Sequence, residues 1–223
     1  MDRRAFLSLA LTVPLVPALA QNAPPAPPTI AATGVNGGER GLSAFLAIAP
    51  DGRVTVFTTT TELGQGTHTA HAMIVADELG VPMAAVNVVV AQPEPALRLM
   101  PNGPVNEMYT GASFGNRIWE ARLRRGAAAA RSVLVQAAAE RLNVPAEALR
   151  LADGRVTHAA SNSSVPIGEL VADARRLPLP ETPALKPVAE RTVPRREMRA
   201  DIPPKTRGAA TYGVDVRLEG MLF

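Results

Sequence analysis

The residues best suited to chemistry lie in one short run, Glu62-Leu63-Gly64-Gln65-Gly66-Thr67-His68-Thr69. Glycine lets a backbone come close to a ligand, and free N–H groups at a helix N-terminus attract phosphate or pyrophosphate. Gln65 adds an amide that both donates and accepts, which suits the edge of a heteroaromatic ring. A Gly-x-Gly pair alone is more often a plain turn. A second cluster, Thr110-Gly111-Ala112-Ser113-Phe114-Gly115-Asn116, repeats the logic at the start of a later helix. The alternative there is an ordinary helix start capped by Ser113 or Asn116.

Other chemistries find less support. His68 and His71 are three apart on one helix, a spacing open to two metal ligands. The nearby carboxylates are Glu62, Asp77 and Glu78, and the last two suit a solvated helix face equally, so no metal site is assigned. His158 falls in a hairpin without an evident partner. The chain has no cysteine, which excludes disulfides and any Fe–S cluster held by its own thiolates. Electron relays would sit on a partner. Gly-x-Ser-x-Gly, Walker and His-Glu-x-x-His patterns are absent.

These residues need elements to position them. Ala44–Ile48 is apolar, Pro50-Asp51-Gly52 is a turn, and residues 53–59 are β-branched and aromatic, so a hairpin is expected whose second strand ends at Thr61. Residues 68–79 lack Gly and Pro and carry Ala72, Val75, Ala76 and Leu79 at helical spacing, with Gly80 and Pro82 as the stop. Val86–Val90 reads as a further strand. A long loop from Gln92 to Thr110 precedes the longest helix, residues 117–142, which closes at Asn143 and Pro145. Its Gly126-Ala127-Ala128-Ala129-Ala130 face suits close packing. A turn at Ala152-Asp153-Gly154-Arg155 and a helix over residues 167–177 complete an α+β fold, with mixed sheet layers and packed helices.

With 223 residues, 47% of them hydrophobic, the chain can bury a core of one or two domains. A formal charge of +3 and 4% aromatics leave no electrostatic or stacking footprint for nucleic acid. Residues 1–20 have a charged start and an apolar run broken by Pro14 and Pro17, with Ala18 and Ala20 before Gln21, the layout of an export signal rather than a permanent membrane span. Arg3-Arg4-Ala5-Phe6-Leu7 resembles a twin-arginine signal, implying periplasmic export of a folded protein; an ordinary secretory signal is the alternative. Residues 21–40, with Pro24-Pro25-Ala26-Pro27-Pro28, read as a Pro-rich tether of extended or coil character.

Taken in order, the pieces resemble the molybdopterin-binding subunit of the xanthine dehydrogenase/aldehyde oxidase family, isoquinoline 1-oxidoreductase beta type. The matching runs are residues 45–56, 62–70 and 77–82, then Thr110-Gly111-Ala112-Ser113 and residues 119–129. Asp201-Ile202-Pro203, Lys205 and Gly208 follow, before Tyr212-Gly213-Val214-Asp215-Val216. The resemblance implies that Gly64, Gln65 and Gly66 bind the cofactor, with Thr67 and Thr69 near its phosphates, and that Ala112 and Ser113, with Gly111, lie beside the molybdenum and pterin. Residues 111–117 also imitate the family's Gly-Gly-x-Phe-Gly-x-Arg loop; both readings assign them to the cofactor.

The implied cofactor is molybdopterin in its cytosine dinucleotide form, with molybdenum. The implied reaction is hydroxylation of an aldehyde or N-heteroaromatic carbon with oxygen from water. Electrons would leave through Fe–S clusters on a small two-cluster partner subunit to a downstream acceptor. The family's base, a late glutamate, would lie beyond Phe223, so no catalytic residue is assigned. The expected layout is a signal at 1–20, the tether at 21–40, a partial molybdopterin-binding domain at 41–178, a linker at 179–208, and at 209–223 the start of an α/β hammerhead-like domain. The chain would be the N-terminal part of a longer subunit, incompetent alone and completed by the missing C-terminal part. The alternative is a non-enzymatic fragment or partner-binding module.

Overall fold

The computed structural model describes residues 30–33, 44–91, 107–192, 197–199 and 201–222. The expected export signal, the proline run and nearly all of the long loop after Ala91 lie outside the described residues. Two small sheets and a set of packed helices form an α+β fold. The first sheet has the order β1 (Ile30–Thr33), β2 (Ala44–Ile48), β3 (Val54–Thr58), β4 (Val86–Val90). The second is the antiparallel meander β5 (Leu149–Ala152), β6 (Arg155–His158), β7 (Ser163–Pro166).

The expected hairpin is present: β2 and β3 pair antiparallel with Leu46 opposite Val56 and Ile48 opposite Val54. β3 alternates buried and half-buried, which directs Val54, Val56 and Thr58 inward. β1 corrects the reading of residues 21–40 as tether throughout, since Ile30 pairs with Ile48 and Ala31 with Ala47 on the open edge of β2. Four residues without proline, β-branched at both ends, are enough to extend a sheet once a partner edge exists. Among the described residues the one parallel pairing, β3 with β4, is spanned by helix α1 (Thr67–Leu79), as a crossover requires.

After the short helix α2 (Phe114–Arg117), α3 (Trp119–Leu142) is the central rod, and Trp119, Leu123, Ala127, Ala130, Leu134 and Ala138 mark its buried stripe. The small residues 126–130 are all buried, as close packing requires. Each fully buried Leu or Val contributes roughly 1.5–3 kcal/mol relative to exposure. Asn143 ends α3 in the left-handed conformation. Gly80, at φ 86°, ends α1, and a Cβ there would stand 2.8 Å from the Leu151 carbonyl oxygen, so glycine both caps the helix and admits β5. Helix α4 (Ile167–Ala174) stops earlier than the expected Leu177.

Asp77 and Glu78 are not solvated. Their side chains are fully buried, with Arg124 donating to both and Arg131 to Glu78. Segment 184–192, expected to be linker, is tied to the same cluster: Lys186 N–H donates to Glu78 at 2.7 Å and Thr192 N–H to Asp77 at 2.7 Å. Sequence patterning misses such a cluster because its cations lie 46 and 53 residues away. Helix α5 (Ile202–Thr206) follows. Residues 209–222 form only a short 3-10 turn, Gly213–Asp215, and leave Val214, Leu218 and Leu222 exposed. No helix among the described residues is long and apolar enough to cross a membrane.

Candidate functional site

Beyond Thr58 the chain leaves the sheet through Thr59, Thr60 and Thr61 and turns into α1 around Glu62. The Glu62 carboxylate accepts from Gly64 N–H at 3.0 Å and Gly66 N–H at 2.8 Å with one oxygen, and from His68 N–H at 3.2 Å with the other. Gly64 at φ 103° and Gly66 at φ 79° supply the left-handed backbone that curls these amides around the carboxylate. Burial raises the affinity of Glu62 for a proton, but the Gly66, His68 and Gly64 amides outweigh it and hold the carboxyl below its ordinary range. Free helix-terminal amides were expected from the sequence. Three of the loop's amides are instead satisfied from within the chain, because a carboxylate four residues before Gly66 reaches back into its own turn.

Gln65 is exposed, yet its amide wires the loop: Nε2 donates to the Thr61 carbonyl at 2.7 Å and Oε1 accepts from Leu63 N–H at 2.6 Å. Gly64 is also exposed and Gly66 half-buried. Thr67 and Thr69 are buried, so they support the loop from inside.

The second cluster lies alongside. Thr61 N–H donates to the Thr110 hydroxyl at 2.8 Å, and a Cβ on Gly115 would stand 3.2 Å from Thr67. His71 joins the two. Its Nε2–H donates to the Gly115 carbonyl at 2.9 Å, and its Nδ1 accepts from the Thr58 hydroxyl at 2.9 Å, which in turn accepts from the Thr60 hydroxyl at 3.0 Å. This requires a neutral ring; burial lowers the His71 pKa to about 4, and the Gly115 carbonyl only partly opposes the shift.

Gly111 is half-buried, whereas Ala112 and Ser113 are exposed and adopt φ of 47° and 56°. Two successive non-glycine residues in the left-handed region cost roughly 1–2 kcal/mol each. Ser113 occupies the cap position of α2 but makes no side-chain cap bond, so the plain capping reading fails for it. The buried Thr59 hydroxyl has no hydrogen-bond partner among the described residues.

The two histidines do not share a ligand position. His68 Nε2 donates to the Thr60 carbonyl at 2.8 Å and His71 Nε2 to that of Gly115, so each is engaged by backbone. Among the described residues no group of three His, Asp or Glu is placed to hold a metal. His158 pairs with Ser161 in its surface hairpin. The eight sequence-derived site residues thus gather in two adjoining loops and the first turn of α1, six facing out or half-buried and two buried. Sequence reasoning missed Glu62 as the loop's anchor, His71 as the bridge, Thr110, and Arg199, which reaches the same loop from the far end of the chain. The signal for Glu62 was available as an acidic residue just ahead of a helix start; His71 and Arg199 offered none.

A family model described as a molybdopterin cofactor-binding domain matches residues 27–218. A nicotinate dehydrogenase subunit from Pseudomonas putida is 39% identical over 186 residues, covering 82% of this chain and 15% of that protein. The beta subunit of isoquinoline 1-oxidoreductase from Brevundimonas diminuta is 32% identical over 268 residues, covering 100% of this chain and 33% of that protein. The crystal structure of quinoline 2-oxidoreductase from Pseudomonas putida 86 is similar at a TM-score of 0.45 and 28% identity, over 61% of this chain and 17% of that one, too partial a likeness to place a residue. The chain therefore spans a third or less of the length of these relatives. Match and relatives agree with the family that the ordered motifs resemble: the chain belongs to the molybdopterin cofactor-binding domain family, among the molybdenum-dependent oxidoreductase subunits of the xanthine dehydrogenase type.

Proposed function

We propose that this chain supplies part of the cofactor shell of a longer molybdenum-dependent hydroxylase, with the Gly64–Gly66 and Gly111–Ser113 loops against molybdopterin. The observation that carries the reading is the strained pair Ala112 and Ser113, exposed on a loop tied to the glycine turn through Thr61–Thr110 and His71–Gly115. Backbone strain on a surface persists where geometry serves a ligand rather than stability. Exposed Gly64 and Gln65, with half-buried Gly66 and Gly111, fit the close approach of a flat polar ring system. The amides of Gly64, Gly66 and His68 do not fit its phosphates while Glu62 fills them. Thr67 and Thr69 act through the loop they support. When bound, the cofactor, in its cytosine dinucleotide form, supplies the two-electron redox centre.

In this proposal the full-length protein hydroxylates an aldehyde or N-heteroaromatic with oxygen from water and passes electrons to an Fe–S partner and a downstream acceptor. Its base glutamate belongs to sequence beyond this chain, residues 209–223 open a hammerhead-like domain, and the twin-arginine-like leader directs export to the periplasm. A second reading, a module that binds another polypeptide without catalysis, is favoured by the exposed Val188, Val214, Leu218 and Leu222.

One experiment separates them. The chain is expressed in a molybdopterin-producing host, alone and together with the remaining length of the isoquinoline 1-oxidoreductase relative, and pterin and molybdenum are measured per chain. Pterin and molybdenum recovered only with the completing polypeptide support the cofactor-shell reading; a stable complex devoid of both supports the binding module.

A further inference from the structure

Arg199 lies 133 residues beyond Gly66, yet a Cβ on Gly66 would stand 3.8 Å from its guanidinium carbon. Its Nη1 donates to the Gly64 carbonyl at 2.6 Å, and its Nη2 to Glu62 Oε1 at 3.3 Å. The same oxygen accepts the Gly64 and Gly66 amides. The guanidinium is aimed by Asp201, which accepts Arg199 Nε at 3.0 Å and Nη2 at 2.7 Å. Asp201 is itself held by Lys205 at 2.5 Å from within α5. One planar fork thus meets a loop carbonyl, the loop's anchoring carboxylate and its own orienting carboxylate, a task for arginine rather than lysine.

We propose that Arg199 is a positioning residue for the glycine loop: it clamps Glu62 and Gly64 from outside and, with Asp201 and Lys205 behind it, makes these residues a structural part of the cofactor site. The clamp explains how an exposed loop with two left-handed glycines holds one shape. Glycine enlarges the conformational freedom of the turn, and the Glu62 carboxylate, partly open to solvent, limits it only through its amides, leaving the carbonyl side open. Arg199 closes the other side, and Asp201 acts through Arg199. The inference rests on the cofactor reading only for its consequence, that whatever displaces Arg199 alters cofactor retention.

The test is amide hydrogen exchange, followed by NMR, on the full 223-residue chain and its Arg199→Gln, Arg199→Lys and Asp201→Asn variants. Arg199→Gln is expected to speed exchange at Gly64, Gly66 and His68 by roughly tenfold or more, the scale of a lost charge-assisted hydrogen bond, while Leu134 and Ala137 in α3 are unchanged. Asp201→Asn should act in the same direction and add little in the double variant. Arg199→Lys should resemble Arg199→Gln. Unchanged exchange at the three loop amides overturns the proposal, as does a uniform increase that includes α3, which would make Arg199 a general stabiliser. Full recovery by lysine also overturns it, since charge alone would suffice. Exchange needs no cofactor, so this failure is separable from failure of the cofactor reading, which pterin content tests.

Discussion

The two ends of α1 solve the same problem differently. At its N-terminus Glu62 gathers loop amides and meets Arg199; at its C-terminus Asp77 and Glu78 gather amides from residues 186 and 192 and meet Arg124 and Arg131. Both ends hold a distant stretch of the C-terminal half against the helix. They differ in burial and in what surrounds the carboxylates. Asp77 and Glu78 are sealed among α1, α3 and the 184–192 strap, whereas Glu62 sits under exposed Gly64 and half-buried Gly66 beside a strained pair. Carboxylate chemistry alone therefore does not distinguish the two ends; the exposure of the loop, its left-handed glycines and the neighbouring Ala112-Ser113 pair do.

The sealed end should be the costlier to break. Glu78→Ala takes from Arg131 its carboxylate and from Arg124 one of its two buried ones, and should lower unfolding stability by about 3–5 kcal/mol, read from denaturant midpoints at constant m. A loss well below that would place the cluster nearer to the surface ion pairs in its contribution. Between the ends, His71 makes the join of the loops acid-sensitive. Its folded pKa, about 4, lies below the ordinary 6.5, so the unfolded chain takes up the proton first. The contribution of His71 is fully present above pH 6.5 and is lost as pH falls toward 4, by on the order of 3 kcal/mol. Urea titrations across that window check it, and His71→Gln should flatten the slope.

The open end should show the reverse of ordinary mutagenesis. Ala112→Gly removes a left-handed alanine and should raise stability by about 1 kcal/mol while lowering cofactor retention in the completed protein. Glu62→Gln, with its amide acceptor retained but its charge removed, should cost about 1 kcal/mol or less, visible as a small thermal shift. A Glu62 effect as large as that of Glu78 would erase the contrast between the ends.

Most of the fold was legible. The β2–β3 hairpin, α1, β4 and α3 follow from alternation, helical spacing and Gly, Pro or Asn stops, since these signals act over a few residues. β1 was obscured by the prolines before it and depends on the open edge of β2, a tertiary fact. At the site, the glycines and the Ala-Ser pair were identifiable by residue type. The roles of His71 and Arg199 were not, because each is defined by partners that only folding brings near, as far as 137 residues apart for Arg199 and Glu62; that of Glu62 was signalled locally, by a carboxylate just ahead of a helix start.

The central claim is that the two joined loops hold molybdopterin. Its most direct test is the pterin and molybdenum content of this chain assembled with the completing polypeptide, wild type against Gln65→Ala. Removing the amide that bridges Thr61 and Leu63 should loosen the turn and lower both contents severalfold without loss of assembly. Undiminished pterin and molybdenum in the variant would contradict the assignment of this loop to the cofactor.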